Sequence, residues 1–296
     1  MKESYGVAPQ FHAQSLEILA GANTVLALNN EQGFKITIRQ LYYQLVANGT
    51  VENTLRSYEN FVALMTKGRM AGKVDWDALA DGTREVIARP HWGSGEAALQ
   101  HAADRYMEDL WDEQPNRVIV IAEKEALIST LQGVCQEWLC PLQLARGYSS
   151  ATSLRELVKQ RILCASQRIV VLHLGDHDAS GIDMSRDLEE RLQLFAGSGV
   201  HIDFRRIALS MEQVEAQAVP PNPVKVTENR YNAYRKRFGD ESWELEALRP
   251  QYLRTLVEQE LEQLIDFGTW NHKCKQVEKV RGRLQALADN FDTEYE

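Results

Sequence analysis

Gly175-Asp176-His177-Asp178-Ala179-Ser180-Gly181 follows the apolar run Arg168-Ile169-Val170-Val171-Leu172-His173-Leu174, and the reading of this junction decides the fold. A short apolar run that ends at a glycine reads as a strand buried on both faces. Strand side chains alternate, so a spacing of two aims Asp176 and Asp178 the same way. Two carboxylates that close are costly unless a cation lies between them or one keeps its proton. Ligands of open α/β sheets bind at the carboxyl ends of the strands. A divalent metal is the expected occupant.

A second apolar strand, Arg117-Val118-Ile119-Val120-Ile121-Ala122, delivers Glu123 at its end. Three hard oxygen donors, Glu123, Asp176 and Asp178, suit Mg²⁺ or Mn²⁺, which combine a few carboxylates with water and substrate phosphate. Such an ion can activate a nucleophile against a phosphodiester. The bland alternative for Glu123, Asp176 and Asp178 is capping and surface charge, with Asp178-Ala-Ser-Gly181 simply starting the helix at 182–196. Asp183 reads as a first-turn acid favoured by the helix dipole. His173 and His177 read as packing residues, His177 being the better ligand candidate because it lies between the two acids.

From residue 117 to 207 the pattern alternates. Strands at 117–122, 142–145, 168–174 and 201–207 flank helices at 124–139, 152–164 and 182–196, which predicts a parallel α/β sheet with covering helices. Ahead of it, residues 8–30 read as a helix with an apolar stripe through Leu16, Leu19, Ala20 and Leu26. A second helix is capped by Thr37, buries Ile38, Leu41, Tyr42 and Leu45, and stops at Gly49. Asn53 or Thr54 caps a third, which runs to about Arg69. Short helices with basic residues resemble a helix-turn-helix or winged-helix pattern. The irregular stretch 71–95 is the expected junction, with Asp81 and Arg84 pairing structurally, and a helix from Glu96 to Trp111 follows. The chain therefore divides into an N-terminal helical extension (1–33), a winged-helix-like DNA-binding domain (34–95), an α/β domain (96–210) and a helical C-terminal region (211–296) broken at Pro220-Pro221-Asn222-Pro223.

The formal net charge of −9 opposes generic nucleic-acid binding. The charge is uneven, however. Phe34 to Lys73 holds six Lys/Arg against two Glu, Val224 to Phe238 holds five against one, and Lys273 to Arg283 repeats the excess. Three such patches in one acidic chain favour phosphate contacts over solvated faces, with Arg56, Lys67, Arg69 and Lys73 as candidates in the first. Lys124, beside Glu123, and Arg146, in a glycine turn with Ser149 and Ser150, are further phosphate candidates. Cys135, Cys140, Cys164 and Cys274 form no CxxC pair, so neither zinc nor a disulfide framework is expected. No apolar run is long enough to span a bilayer and no signal-peptide core opens the sequence, so the expectation is a cytoplasmic chain without membrane partners.

A strand ending in Glu123-Lys124, followed by a strand ending in Asp176-x-Asp178-x-x-Gly181, resembles the Toprim domain of topoisomerases, bacterial primases and several nucleases. Ala145-Arg-Gly-Tyr-Ser-Ser150 looks like the segment after the second Toprim strand. Thr37-Ile-Arg39-Gln-Leu-Tyr-Tyr43 resembles the motif of the topoisomerase VI A subunit and the meiotic double-strand-break transesterase. There an Arg-x-x-Tyr-Tyr segment on a winged helix supplies the tyrosine that attacks DNA, which maps to Tyr43. Trp243-Glu-Leu-Glu-Ala-Leu248 looks like the Trp-Glu-Leu segment after that family's Toprim core. Ala179 departs from the family's usual proline.

The resemblance covers roughly residues 34–265. It implies a Toprim-type sheet behind a winged helix, Mg²⁺ or Mn²⁺ on Glu123, Asp176 and Asp178, and double-stranded DNA held by a homodimer. Tyr43 would be the nucleophile, with Arg39 one turn earlier to stabilise phenolate or phosphate. No ATPase segment is read, so topoisomerase activity would need a separate ATPase or other partner subunit. The leading expectation is a metal-dependent DNA nuclease. Its alternatives are a Tyr43 transesterase, an RNA-directed Toprim nuclease, and a non-catalytic DNA-binding or assembly protein.

Overall fold

The computed structural model describes residues 2, 4, 10–80, 91–145, 149–223 and 231–291. Its first unit is α1 (Ala13–Glu31), α2 (Ile38–Ala47) and α3 (Leu55–Met70). Thr37 begins α2 with a reciprocal capping box: its hydroxyl accepts from the Gln40 N–H (3.2 Å), and the Gln40 side chain accepts from the Thr37 N–H (2.9 Å). Gly49 follows α2 at a φ of +76°, a conformation open to glycine. Thr54 caps α3 by accepting from the Ser57 N–H.

Leu19, Ala22, Val25 and Leu26 of α1 pack with Leu41, Leu45, Phe61 and Met65 into one core. Residues 13–31 are thus part of this unit and not an extension from it. The stripe also differs from the expected one. Leu16 is 45% exposed and Ala20 is exposed, because the buried line follows 19, 22, 26 and 29 at helical spacing. Described β pairing here is confined to the isolated bridges Ser4–Ala71 and Ile36–Leu79, so a wing hairpin is not among the described residues.

The second unit is α/β. After α4 (Gly95–Arg105) come β1 (Asn116–Ala122), α5 (Ile128–Glu137), β2 (Leu142–Leu144), α6 (Ala151–Leu157), β3 (Arg168–Leu174), α7 (Ala179–Ala196) and β4 (Ile202–Ala208). The four strands are parallel in the order β2-β1-β3-β4, and β1 and β3 run in register from Asn116–Arg168 to Ala122–Leu174. Val118, Val120, Val170 and Leu172 face a core completed by Leu131 of α5, while Ile119, Ile121 and Val171 face Leu154 of α6 and Leu192 of α7. Burial on both faces is why these strands read as unbroken apolar runs. Each such side chain contributes roughly 1.5–3 kcal/mol.

Several boundaries move for physical reasons. The chain leaves α4 at Arg105 instead of reaching Trp111, because the Trp111 ring is fully buried and donates its indole N–H to the Trp138 carbonyl at 2.8 Å. A 3₁₀ turn (Glu125–Leu127) precedes α5, and α6 passes into a π turn (Val158–Ile162). Helix α7 begins at Ala179, three residues earlier than the apolar pattern suggests, because Asp178 caps it.

The rest of the chain completes the α/β unit and does not form a helical region of its own. It contains α8 (Met211–Ala216), the antiparallel pair β5 (Asn222–Pro223) and β6 (Glu241–Ser242), α9 (Tyr231–Phe238), α10 (Pro250–Leu264) and α11 (Phe267–Asp289). Leu253, Val257 and Leu261 of α10 enter the core beneath β1, and Arg281 of α11 donates to the Tyr106 carbonyl just past α4 at 2.7 Å. No described helix is long and apolar enough to cross a membrane.

Candidate active site

Because β1 and β3 are parallel and in register, they end level with each other. The Glu123 N–H donates to the Leu174 carbonyl (2.9 Å), which sets Glu123 beside Gly175. The Glu123 carboxylate accepts from the Asp176 N–H at 3.0 Å. The approach needs both glycines. A Cβ at Gly181 would lie 2.4 Å from the Asp176 carbonyl oxygen, and one at Gly175 would lie 2.9 Å from Glu123 Oε2.

Asp176 is 5% exposed, and both its oxygens are engaged: Oδ1 accepts from the Leu245 N–H (2.8 Å) and Oδ2 pairs with the Lys124 ammonium (2.6 Å). Lys124 also pairs with Glu244 and, at 3.5 Å, with Glu246. Arg39 of α2 meets the same two glutamates at 2.6 and 3.2 Å and reaches the Tyr43 hydroxyl at 3.5 Å. Asn222 donates to that hydroxyl at 3.0 Å. One polar network therefore runs from Tyr43 through Arg39, Glu244, Lys124 and Asp176 to Glu123. The buried Gln40–Thr130 hydrogen bond (3.2 Å) fastens α2 to α5 alongside it.

Asp178 stands apart. Its Oδ1 accepts from the Gly181 N–H (2.6 Å) as the cap of α7. The sequence-expected trio is thus brought together only in its first two members. Among the described residues no three His, Cys, Asp or Glu side chains group closely enough to cage a metal ion. Asp178 nonetheless lines a cleft of 280 Å³ with Tyr43, Arg39, Tyr58, Asn222 and Glu244.

Electrostatics follow from burial. Burial, then the Asp176 charge, pushes Glu123 up to about 7. Burial also raises Asp176, against the pull of Lys124, and raises Glu246. Burial would raise Glu244 as well, but Lys124 and Arg39 outweigh it and hold it low. Burial and the Glu244 charge raise the Tyr43 phenol, so it is neutral at pH 7 here.

Sequence reasoning missed Arg206, Asn222, Glu244 and Glu246 as site residues. Arg206 of β4 lies under the Gly175–Gly181 turn and donates to the carbonyls of Gly175 (3.0 Å), Asp176 (2.6 Å) and Gly181 (3.3 Å). The signals available were the doublet Arg205-Arg206 at a strand end and the alternation Trp243-Glu-Leu-Glu. Both histidines are structural. His173 is 2% exposed and is pushed down to about 3 by burial, then by Arg206. His177 lies 3.0 Å from the Tyr234 hydroxyl and packs against Phe238 and Trp243. Asp183 pairs with Arg186 on the α7 surface at 2.8 Å.

Of the expected phosphate contacts, Arg56, Lys67 and Lys73 are exposed. Arg69 instead stacks over the Trp76 ring, with 4.1 Å from guanidinium carbon to ring centre. Lys124 is committed to the acidic cluster. Arg146, Asp81 and Arg84 lie outside the described residues, and Ser150 caps α6.

The donor chemistry fits a hard divalent cation shared with substrate, not an all-protein cage. Four carboxylates (Glu123, Asp176, Glu244, Glu246) share two cationic side chains, Lys124 and Arg39. Glu246 Oε1 is buried without a partner. Mg²⁺ commonly takes one or two carboxylates and fills its remaining positions with water and phosphate oxygen. Compared with protein-family models, curated proteins and solved structures, the chain finds no match.

Proposed function

We propose that this chain is a metal-dependent enzyme cleaving phosphodiester bonds of double-stranded DNA, built as a Toprim-type sheet behind a winged-helix-like helical unit and acting as a homodimer. The observation that carries the reading is the convergence of Glu123 and Asp176, from two adjacent parallel strand ends, on a buried spot with more carboxylates than cations. Mg²⁺ or Mn²⁺, when bound, would supply Lewis-acid polarisation of the phosphate and a more acidic attacking oxygen. Glu123 and Asp176 would hold it. Asp178 keeps α7 capped at the cleft wall, with Oδ1 engaged by the Gly181 N–H. Arg206 clamps the turn carrying both aspartates, and exposed Arg56 and Lys67 on α3 would hold the DNA backbone.

A second reading has its own support. Tyr43 and Asp178 line one cleft, and Arg39, which reaches the Tyr43 hydroxyl, would stabilise a phenolate. In that reading the Tyr43 oxygen attacks phosphorus, and the protein becomes esterified to DNA as the leaving sugar oxygen takes up a proton. Hydrolysis is preferred, since Tyr43 is 4% exposed and its phenol is held neutral.

Plasmid DNA incubated with Mg²⁺ or Mn²⁺ tests both. Wild type is expected to nick or linearise the plasmid, and Asp176→Asn or Glu123→Gln to lose at least a hundredfold in rate. Tyr43→Phe should keep most cleavage, with no protein trapped on DNA after denaturation. Covalent trapping abolished by Tyr43→Phe would replace the hydrolase with the transesterase. Cleavage of structured RNA alone would move the substrate to RNA. Equal inactivity of wild type and Asp176→Asn on both nucleic acids would leave a binding protein.

A further inference from the structure

Lys124 sits where the carboxylates most need a cation. Its ammonium contacts Asp176 Oδ2 at 2.6 Å and Glu246 at 3.5 Å, and also pairs with Glu244. The other Asp176 oxygen is taken by the Leu245 N–H. A metal approaching Asp176 Oδ2 therefore competes with the ammonium for that oxygen. We propose that Lys124 is the resident cation of the site, displaced from Asp176 when a divalent cation binds with a phosphodiester and then free to pair with that phosphate. This rests on the reading of Glu123 and Asp176 as metal ligands.

The neighbours make the exchange feasible. Lysine is a compact charge on a flexible four-carbon stem, whereas arginine is a rigid fork. Arg39 is braced by Glu244 at 2.6 Å and Glu246 at 3.2 Å, so both glutamates keep a counter-ion when Lys124 leaves. Glu246 Oε1 has no partner even with Lys124 present, so the cluster is short of positive charge and accepts the doubly charged ion. Glu244 also lines the 280 Å³ cleft, so a lysine leaving Asp176 stays beside the space in which a phosphate would lie. Lys124 thus weakens metal binding in the absence of substrate and contributes a phosphate contact in its presence.

The test is Mn²⁺ binding to the full chain, followed by the electron-spin signal of free Mn²⁺, with no activity required. Lys124→Met is expected to bind Mn²⁺ at least tenfold more tightly than wild type. Lys124→Met/Glu246→Gln removes one charge of each sign. It should bind at least tenfold more tightly than wild type, whose net charge it shares, and it carries the test if Lys124→Met does not fold. Equal affinity of wild type and Lys124→Met overturns the proposal while leaving the metal reading intact. A gain that vanishes in the charge-balanced comparison also overturns it, because the effect is then one of overall charge. Failure of every protein to bind Mn²⁺, or unchanged binding in Glu123→Gln and Asp176→Asn, overturns the metal reading and the proposal with it.

Discussion

Glu123 holds its proton far above the ordinary carboxylate range, at about 7, because it is buried and faces Asp176. The folded chain therefore keeps a proton that the unfolded chain releases between the ordinary value of 4.5 and about 7. Stability falls as pH rises through that window, and the whole penalty is present above it. Glu123→Gln removes the titration. In a chelator it should be more stable than wild type at pH 8, by on the order of 1–3 kcal/mol, and nearly equal to it at pH 4.5. Urea midpoints at the two pH values measure this, and an equal effect at both would sink the assignment. A divalent cation should shrink the difference by favouring the ionised carboxylate.

Helix α7 exists in its observed register because Asp178 caps it. Asp178→Ala should cost about 1 kcal/mol, whereas Asp178→Asn should keep the cap and most of the stability. If Asp178→Asn is stable but loses cleavage, its second oxygen has a role in the chemistry; if it is stable and active, Asp178 is a cap alone. Gly181→Ala should cost roughly 1–3 kcal/mol, because backbone cannot yield as a flexible side chain can. Thermal or urea melts rank the three. The strands β1 and β3 are legible in the sequence because a strand buried on both faces leaves an unbroken apolar run. The start of α7 is not, because an aspartate after a strand looks alike as ligand and as cap. Glu244 is illegible for a different cause: its partner Arg39 lies 205 residues away, and no local pattern encodes that pairing. Helix α4 reads too long in the sequence because Trp111 fits a helical stripe but is claimed by the sheet core.

Across the whole molecule, the acidic balance would make the proposed DNA binding depend on where the positive charge is exposed. Arg56 and Lys67 are eleven residues apart on α3, close to three full turns, so they share one exposed face about 16 Å apart. Removing one phosphate-binding side chain should reduce the slope of log affinity against log salt by about 1. Arg56→Ala and Lys67→Ala should each show that change in duplex titrations, while Arg69→Ala, whose guanidinium is stacked on Trp76, should leave the slope unchanged and lower stability. The span between Arg39 and Glu244 has a consequence for the chain's life history. A ribosome-bound chain displays Glu123 and Asp176 long before residue 244 has been made, so the cluster lacks its outer half until Glu244 and Glu246 have emerged. On the proposed function, the protein would thereby stay inert while nascent. On the same reading, mild urea that loosens the 3₁₀ turn Leu245–Ala247, whose Leu245 N–H holds Asp176, should abolish cleavage while far-ultraviolet dichroism still reports an intact sheet.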